Sequence, residues 1–475
     1  MKKFSLIAIL LIPIFAFNIY ALSLDELVKR AKSESSVYED TINQAKRSDY
    51  SATLLTLDKE HSFSIGVQSG KWEPKNNNKN EITSNVSFTP YFSYSSADDN
   101  TTSITVSSPV AIKYDDTGVF DTSTYDPKLN IDQKILLNGV KDSRLDYQKK
   151  LARLEADSTL KKAEFQYENT LYNTIQSVLS KQSSYLKSTS TYNERKALFD
   201  SNVSSGIIDE GTYAYKKERS SIESLYNEMI VSESALTNAM TEFKRVAGFE
   251  WEGIEEIQKI TPEFEEIQDG NTEIQVSKIN MDNAKNEYEI LLKNDDRVFT
   301  LNANAGTSIK GSSMANWNIG AGVRYKDNNF NASVSALGDF SSANNWKGDP
   351  TLAFEASYSV GSNTDETKRL KIQNALLNLQ SKTYEYNNAL INYRTSALSM
   401  KTNIEGKILK EKEALLTYEN AKDDYENVKD LDTKGYYTPL SIKTEEAIFI
   451  EKENAYKSSL LDLYIINNDA KILNV

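Results

Sequence analysis

Two patterns of apolar positions alternate along the chain, a helical one and one of period two. The stretch from Val140 to Ser205 contains neither proline nor glycine, and at about 1.5 Å per residue it predicts a helix of roughly 100 Å. Apolar residues recur in it at every seventh position, and most have a second apolar residue beside them. Such pairs of apolar residues at every seventh position indicate an apolar stripe wide enough to contact a helix on each side. The alternative is a simple two-stranded coiled-coil stalk. The recurring positions are Leu171, Val178, Tyr185, Tyr192 and Phe199.

Period two appears in two stretches, 61–137 and 298–361. Each contains four runs in which apolar residues alternate with small or polar ones, and turn-rich segments separate the runs. The pattern predicts four strands per stretch, each with one apolar and one polar face. A half-buried sheet of a soluble sandwich and the strands of a transmembrane barrel both fit this alternation. Aromatic residues that could belong to an interfacial belt are Trp72, Tyr91, Phe92 and Tyr94.

The elements follow one another in the same order twice: helix, strands, long helix, turn and return helix. Gly139 and Gly361, which precede the two long helices, are 222 residues apart, and Gly206 and Gly435, which end them, are 229 apart. The second long helix is therefore longer by one heptad, which keeps the same face in register. We predict a tandem repeat. The predicted parts are a signal peptide at 1–21, a first repeat at 22–247, an acidic linker at 248–271 and a second repeat at 272–475, with helices at 24–59, 140–205, 209–245, 272–293, 364–433 and 439–469.

The first residues have the composition of a secretory signal peptide. Lys2 and Lys3 are basic, residues 4–17 are mostly apolar, and Ala21 is a small residue at which cleavage could occur. No later run of about 20 apolar residues follows, so we expect any membrane crossing to be made by the strands.

Helix starts are also visible in the sequence. Ser23 and Glu26 form a capping box at the start of the first helix. Asp209 is predicted to be the N-cap of the first return helix, and Thr438 and Pro439 are predicted to be the N-cap and first residue of the last helix.

Composition excludes several classes of function. The chain has 475 residues, no cysteine, His61 as its single histidine and a formal net charge of -13. Thiol chemistry, disulfides and thiolate metal sites are therefore ruled out, and so are most zinc sites and most catalytic triads. Nucleic acid is not expected as a partner. We predict no catalytic residue, no cofactor and no metal site, and hence no enzyme.

One copy of such a chain leaves edge strands and apolar helix surfaces without partners, because it has too few strands to enclose a channel lined by its long helices. The strands leave edges, which cannot face lipid, and the long helices leave apolar flanks. We therefore expect several copies to associate in a closed ring.

Four segments resemble the TolC family of outer-membrane efflux proteins. Residues 129–139 (LNIDQKILLNG), followed by a long amphipathic helix, are similar to the family's strand-to-helix signature. Residues 203–208 (VSSGII) and 432–437 (DTKGYY) are similar to its two helix-turn-helix ends, and residues 23–28 (SLDELV) to its mature N-terminus. The similarity of plan covers nearly the whole chain after the predicted signal peptide.

The resemblance implies a fold that is mostly α with transmembrane β. It implies an outer-membrane β-barrel continued into a long periplasmic α-helical barrel, in a homotrimer. It also implies export of small molecules or proteins to the exterior, with a periplasmic adaptor (membrane fusion) protein and an inner-membrane pump of the RND or ABC type as partners, besides outer-membrane lipid.

The resemblance places adaptor docking at the two turns, and exposed apolar residues beside a turn glycine are consistent with a docking role. Acidic residues near the turns would form a negative ring in a trimer and favour cations, or would simply be a solvated acidic surface. The predicted docking residues are Gly206, Ile207, Ile208, Gly435, Tyr436 and Tyr437, and the predicted acidic gate residues are Asp209, Glu210, Asp430, Asp432, Glu445 and Glu446.

Two departures from the family pattern stand out. The best-known members carry an Asp-x-x-Asp pattern just past the second turn, where this chain has Ser441 and Thr444. Members usually have two strands per repeat, whereas four are predicted here. The alternative function is that of a secreted or surface coiled-coil structural or adhesive protein with β-rich heads. A periplasmic enzyme is a third class, for which the sequence offers no site.

Overall fold

The computed structural model divides the chain into two compact units. The helical unit comprises Met1–Asp49, Glu155–Ile274 and Leu390–Val475, and the strand unit comprises Tyr50–Leu154 and Gln275–Ala389. The predicted signal peptide at 1–21 lies outside the described residues. The structure describes residues 22–57, 61–76, 82–96, 102–114, 120–136, 143–255, 257–293, 298–310, 313–327, 330–341, 345, 347–358, 364–433 and 439–475.

The first predicted helix is in fact two helices, α1 (Leu24–Glu34) and α2 (Ser36–Leu57). The predicted capping box is present, because Glu26 N donates to Ser23 Oγ at 3.4 Å and Ser23 N donates to Glu26 Oε2 at 3.2 Å. The prediction of one helix over 24–59 was wrong at Ser35, which adopts an extended conformation. Its hydroxyl donates to Val246 O at 2.6 Å and accepts from Tyr38 N at 3.1 Å, so the break is stabilised by a contact distant in sequence.

The long helix α3 spans Arg144–Ser204, and α4 spans Tyr213–Ala247. Helix α3 begins later than the predicted Val140; residues 140–142 lie outside the described part. Asp209 was wrongly predicted as the N-cap of α4, since Thr212 occupies that position and its hydroxyl accepts from Tyr215 N at 3.2 Å. Helix α4 ends at Ala247, two residues beyond the predicted end at 245, and Gly248, whose φ is 91°, is its C-cap.

The remaining helices are α5 (Thr272–Lys293), α6 (Thr364–Thr433) and α7 (Pro439–Asn474). The predicted bounds of α5 and α6 and the start of α7 are confirmed, but α7 runs past the predicted end at 469. No glycine or proline follows to stop it, and its last residue is held in place. Asn474 Nδ2 donates to Glu265 O, and Tyr393 Oη donates to Asn474 Oδ1, both at 2.8 Å.

The core of the helical unit joins α1, α3, α4 and α7, with Leu27, Leu171, Phe243 and Leu461 among its fully buried side chains. The segment 248–271 was predicted to be an irregular acidic linker. It is irregular, with one short 3-10 turn at Gln268–Gly270, but it is also packed. Phe249, Trp251, Ile254 and Ile257 of this segment are all buried in the same core.

The strand unit forms one antiparallel sheet. Its strands are β1 (His61–Asn76), β2 (Ile82–Ser96), β3 (Thr102–Ser107), β4 (Val110–Tyr114), β5 (Phe120–Tyr125), β6 (Lys128–Leu136), β7 (Val298–Lys310), β8 (Ser313–Lys326), β9 (Phe330–Ser341) and β10 (Gly348–Tyr358).

Two prolines each break a strand locally, but the sheet continues on both sides of them. Pro109 separates β3 from β4 and Pro127 separates β5 from β6, because proline has no N–H to donate. Their carbonyls still accept, from Asp126 N at 3.0 Å and from Thr307 N at 3.1 Å. The register on both sides of each proline is the same. The pairs β3/β4 and β5/β6 are therefore single long strands.

Within the described residues, the sheet thus consists of eight long strands in chain order, four from each predicted stretch. This confirms the four strands predicted for each stretch and departs from the two per repeat usual in the TolC family. An even number returns the chain to the end of the sheet at which it entered. Consequently β1 and β7 begin, and β6 and β10 end, at the same end of the sheet, which we call the helix-joined end.

Candidate functional site

The sheet separates apolar from polar side chains along its whole width. Directly opposed residues share a face, and one such row runs from Ile65 on β1 through Phe92 and Val106 to Leu129 and onward across the sheet. We call this side the apolar face. Two neighbouring rows continue it through β7 to β10, namely Leu301, Val323, Val334 and Phe354, and Ala303, Ala321, Ala336 and Leu352.

Charged residues are confined to the opposite side, the polar face. Among the strand residues whose side chains the structure describes, every Asp, Glu, Lys and Arg lies there, together with Asn302 and Asn304. Five are cationic and five anionic, so this face carries no strong charge of either sign. These residues are Lys71, Glu73, Lys128, Asp132, Lys134, Arg324, Lys326, Asp339, Asp349 and Glu355.

The apolar face is open to its surroundings. Ile65 is 84% exposed, Phe354 is 74% exposed and Val334 is 45% exposed. A contiguous apolar surface of this kind marks a contact with a partner or a membrane, because water-exposed surfaces rarely carry one.

Aromatic residues border the apolar face at both ends. At the helix-joined end the rings of Phe63 and Tyr94 lie 5.0 Å apart, and those of Phe299 and Tyr325 lie 5.1 Å apart. Phe330 and Tyr358 extend the same row over β9 and β10. Trp72, Trp317 and Phe340 lie towards the other end.

The two borders are separated by a distance that suits a membrane. Along β8, Trp317 and Tyr325 are eight residues apart, about 27 Å at the usual strand rise. A strand tilted by 35–45° would convert this to roughly 20 Å across a bilayer, close to the apolar band of outer-membrane barrels.

One predicted belt residue lies on the wrong face. Trp72, Phe92 and Tyr94 are on the apolar face, but Tyr91 is on the polar face, where its ring lies over Gly66. A Cβ at Gly66 would approach Tyr91 Cε1 to 2.9 Å, so a larger residue there would displace the ring.

The first helical turn, 203–212, has well-defined hydrogen bonds. Gly206, with φ 68°, follows the end of α3, its N–H donates to Val203 O at 3.1 Å, and Ile207 N donates to Asn202 O at 2.9 Å. This pattern is a Schellman motif, which requires the left-handed conformation that glycine adopts readily. Gly211, with φ 91°, and the Thr212 cap then start α4.

The turn exposes two apolar side chains. Ile207 is 71% exposed and Tyr213 is 82% exposed, whereas Ile208 is half-buried. The sequence prediction included Ile207 and Ile208 but not Tyr213. The available signal was that Tyr213 is an aromatic residue directly after a threonine, a residue type that often caps helices.

Contacts between α3 and α4 hold the turn in place. The rings of Phe199 and Tyr215 lie 5.2 Å apart, and Arg195 Nη2 donates to Glu218 Oε2 at 2.8 Å. The apolar residues of the turn are thus presented from a braced helical pair.

The second predicted turn is only partly described. Gly435, Tyr436 and Tyr437 lie outside the described residues. The acidic residues Asp209 and Glu210 are exposed in the first turn, while Asp430 and Asp432 lie at the end of α6 and Glu445 and Glu446 lie in the first turns of α7.

Helix α7 is packed on two neighbours near these acids. Thr444, at a position where the best-known TolC members carry an acid, lies 3.1 Å from Ser190 of α3 through their hydroxyls. On its other side, Phe449 stacks between Tyr418 and Tyr425 of α6. Burial and the nearby Glu446 carboxylate raise the pKa of Tyr425.

Neither a metal centre nor a helical membrane span appears in the described part of the chain. No group of three or more His, Cys, Asp or Glu residues there could hold a metal ion. None of the described helices has a long enough apolar stretch to span a membrane.

Comparison with known proteins gives one partial family match and several structural ones. A family model described as the TP096X N-terminal domain matches residues 32–264, slightly less than half of the chain. No curated protein matches.

Among solved structures, the outer-membrane channel OprN matches with a TM-score of 0.51 at 10% identity, over 95% of this chain and 89% of that chain. A membrane protein from Pseudomonas aeruginosa matches with a TM-score of 0.48 at 12% identity, over 95% and 92% of the two chains. The Campylobacter jejuni CmeC outer membrane channel matches with a TM-score of 0.46 at 11% identity, over 95% and 84%.

The likeness to OprN shows that this chain has the fold of an outer-membrane channel protein. The predicted resemblance to the TolC family is therefore confirmed at the level of fold. OprN itself is described as an outer-membrane channel.

Proposed function

We propose that this protein is an outer-membrane channel that exports small molecules or proteins. The observation that carries the proposal is the sheet, whose apolar face is free of charged side chains in its described part and is bordered by aromatic residues. A lipid-facing band flanked by aromatic girdles has these properties. The OprN-like fold supports the same function.

The polar face would line the water-filled passage. Among the strand residues whose side chains are described, it carries asparagine, serine and threonine together with equal numbers of cationic and anionic residues. A lining of mixed charge discriminates weakly between solutes, which fits a passage whose selectivity is set elsewhere.

Association into a homotrimer would cover the apolar residues that one chain exposes. Helix α6 has such residues at every seventh position, and their side chains are between 53% and 69% exposed. A stripe of this length on a helix requires partner helices. The residues are Leu370, Leu377, Tyr384, Ile391 and Leu398.

The first helical turn is the proposed docking site for a periplasmic adaptor, which would connect the channel to an inner-membrane pump of the RND or ABC type. Ile207 and Tyr213 are exposed on a braced turn, and Asp209 and Glu210 add negative charge beside them. We extend the proposal to Gly435, Tyr436 and Tyr437 by the similarity of the two sequence segments. Asp430, Asp432, Glu445 and Glu446 would complete an acidic ring in a trimer.

Two measurements test the channel itself. The protein should fractionate with the outer membrane, and the purified protein should form ion-conducting pores in a planar bilayer. An adhesive coiled-coil protein would form no pores, and deleting a pump would leave its phenotype unchanged. Absence of both pores and outer-membrane fractionation would overturn the proposal.

Docking is tested separately by Ile207→Asp, with Ser201→Asp as the control that adds the same charge to an exposed site one turn earlier on α3. Ile207→Asp should abolish export while trimer content and pore conductance stay unchanged, and Ser201→Asp should export normally. Normal export by Ile207→Asp would rule out docking at this turn.

A further inference from the structure

The eight-stranded sheet has two free edges. Among the described residues, β1 pairs only with β2 and β10 pairs only with β9. Both edges are long, since β1 has 16 residues and β10 has 11. An edge of this length exposes a row of unpaired N–H and C=O groups, which cannot remain unpaired in lipid.

A single chain could in principle satisfy these edges by pairing β1 with its own β10. Eight strands are enough to close a small barrel, whose interior is then filled by side chains. The structure has no registered pair between the two strands. The polar face is also unfilled, because Asn302, Asn304, Arg324 and Glu355 are all exposed.

The edges are suited to another copy of the same chain. Because the strand number is even, β1 and β10 run in opposite directions, so β10 of one copy beside β1 of the next makes an antiparallel pair. The apolar face would also continue unbroken, from Phe354 and Tyr358 on β10 to Phe63 and Ile65 on β1. Phe63 and Tyr358 both lie at the helix-joined end, so the aromatic border would continue as well.

Over the part of each edge strand nearest the helix-joined end, the usual protection against strand pairing is absent, whereas the far ends carry Pro74 on β1 and Pro350 on β10. Residues 351–358 of β10 contain no proline, lysine or arginine, and neither do residues 62–70 of β1. Such residues normally prevent the edge of a sheet from recruiting another strand. Their absence favours pairing between copies.

We propose that β10 of each copy pairs with β1 of the next, so that three copies close one barrel of 24 strands. This inference rests on the proposed trimeric channel and goes beyond it in strand number. At the usual strand spacing and tilt, such a barrel has a diameter of roughly 50 Å, against roughly 25 Å for the twelve strands of a trimer with two strands per repeat. The strand-built part of the passage is thus about twice as wide.

Disulfide cross-linking tests the pairing, and the absence of native cysteine makes the background clean. Ser62→Cys on β1 is combined in turn with Thr351→Cys, Ala353→Cys, Glu355→Cys and Ser357→Cys on β10, which scans the register in the full-length protein in its membrane. We expect at least one double variant to give covalent dimers and trimers on oxidation. Neither parent single variant should do so.

Two controls define the outcomes. Ser64→Cys with Ser93→Cys, whose hydroxyls lie 2.6 Å apart within one chain, marks the mobility of an internally linked monomer. If the β1–β10 variants give only such monomers, or no cross-link in any register, the 24-stranded barrel is ruled out. Pore conductance of the same samples keeps the tests separate, since internally linked monomers that still conduct would refute this barrel and leave the proposed channel standing.

Electron micrographs of the purified oligomer give a second measurement. A ring of roughly 50 Å in the strand region agrees with 24 strands, whereas a ring of half that width contradicts them.

Discussion

The ammonium group of Lys259 lies 2.6 Å from Oε2 of Glu411, a residue whose side chain has no exposed surface. Lys259 belongs to the irregular segment 248–271, and Glu411 lies in the middle of α6. The other carboxylate oxygen of Glu411 is buried without a hydrogen-bond partner. The ion pair therefore fastens the irregular segment to α6, and it is sensitive to the loss of its one cation.

Replacing Lys259 by methionine should lower the thermal unfolding midpoint markedly. The change leaves the Glu411 carboxylate buried without a counter-charge, which costs about 3–5 kcal/mol in fully buried pairs. We expect the lower end of that range, because the Lys259 side chain is 45% exposed. Circular dichroism of the purified protein during heating measures the effect.

Glu411→Gln is the matched variant, because it removes the negative charge of the pair instead of the positive one. It should cost less than Lys259→Met, because the ammonium left behind can reach water. Combining the two changes should restore part of the stability lost in Lys259→Met. Equal losses in the two single variants would contradict this account.

Gly206→Ala should destabilise the first helical turn by about 1 kcal/mol, because a Cβ strains the left-handed conformation. No atom lies within 4 Å of the position that this Cβ would take, so the loss would be due to the backbone alone. Hydrogen exchange of the amides at 203–212 measures it.

Gly406→Ala in α6 is the control, with equally open space around the added Cβ but no positive φ. It should stabilise the helix by about 1 kcal/mol. If both variants shift stability in the same direction, the conformational explanation fails.

Val334→Arg should impair membrane insertion, whereas Ser335→Arg should not. The two residues are neighbours on β9, with Val334 on the apolar face and Ser335 on the polar face. An arginine facing lipid costs about 2–4 kcal/mol at the midplane and less towards either border, and one facing an aqueous passage costs little. Val334 pairs with Val323, two residues from the Tyr325 border, so we expect less than the midplane cost. The fraction of protein that floats with outer-membrane vesicles measures insertion. Equal insertion of both variants would show that the apolar face does not meet lipid.

Asp469 should contribute less to the stability of the fold as the pH rises from the acidic range. Burial raises its pKa, although Asn169 Nδ2, which donates to Asp469 Oδ1 at 2.8 Å, and the Lys407 charge act in the opposite direction. A carboxyl group with a raised pKa in the folded state favours folding when protonated. Its contribution is complete below the ordinary aspartate pKa of about 4 and is lost as pH rises through the raised value.

Asp469→Asn should therefore flatten the dependence of the unfolding midpoint on pH above the ordinary aspartate pKa of about 4. Asp423→Asn, an exposed acid on α6, should leave the pH profile as it is. An unchanged profile in Asp469→Asn would assign the pH dependence to other groups.

The periodic elements could be predicted from the sequence because they depend on local pattern. The exact bounds of α5 and α6 follow from helical periodicity and flanking glycines, and the four strands of each stretch follow from strict alternation. The capping box at Ser23 and the glycine at the end of α4 are short-range signals of the same kind.

The missed features depend on contacts between distant residues. The break at Ser35 requires the Val246 carbonyl, and the burial of Trp251 requires the core formed by α1, α3, α4 and α7. No local pattern contains either partner. The face of Tyr91, by contrast, could have been predicted, because neighbouring residues of a strand point to opposite faces and Phe92 lies on the apolar one. Thr212, which directly follows Gly211 with its φ of 91°, caps α4 in place of the predicted Asp209.

The even number of long strands has an evolutionary consequence. A hairpin inserted into the sheet adds two strands and brings the chain back to the helix-joined end, so every downstream helix keeps its point of departure. The strand region can therefore gain or lose hairpins over time while the helical part of the sequence stays free to conserve its own surfaces. In the proposed channel, the width of the pore and the recognition of the adaptor then become properties that mutation can alter independently.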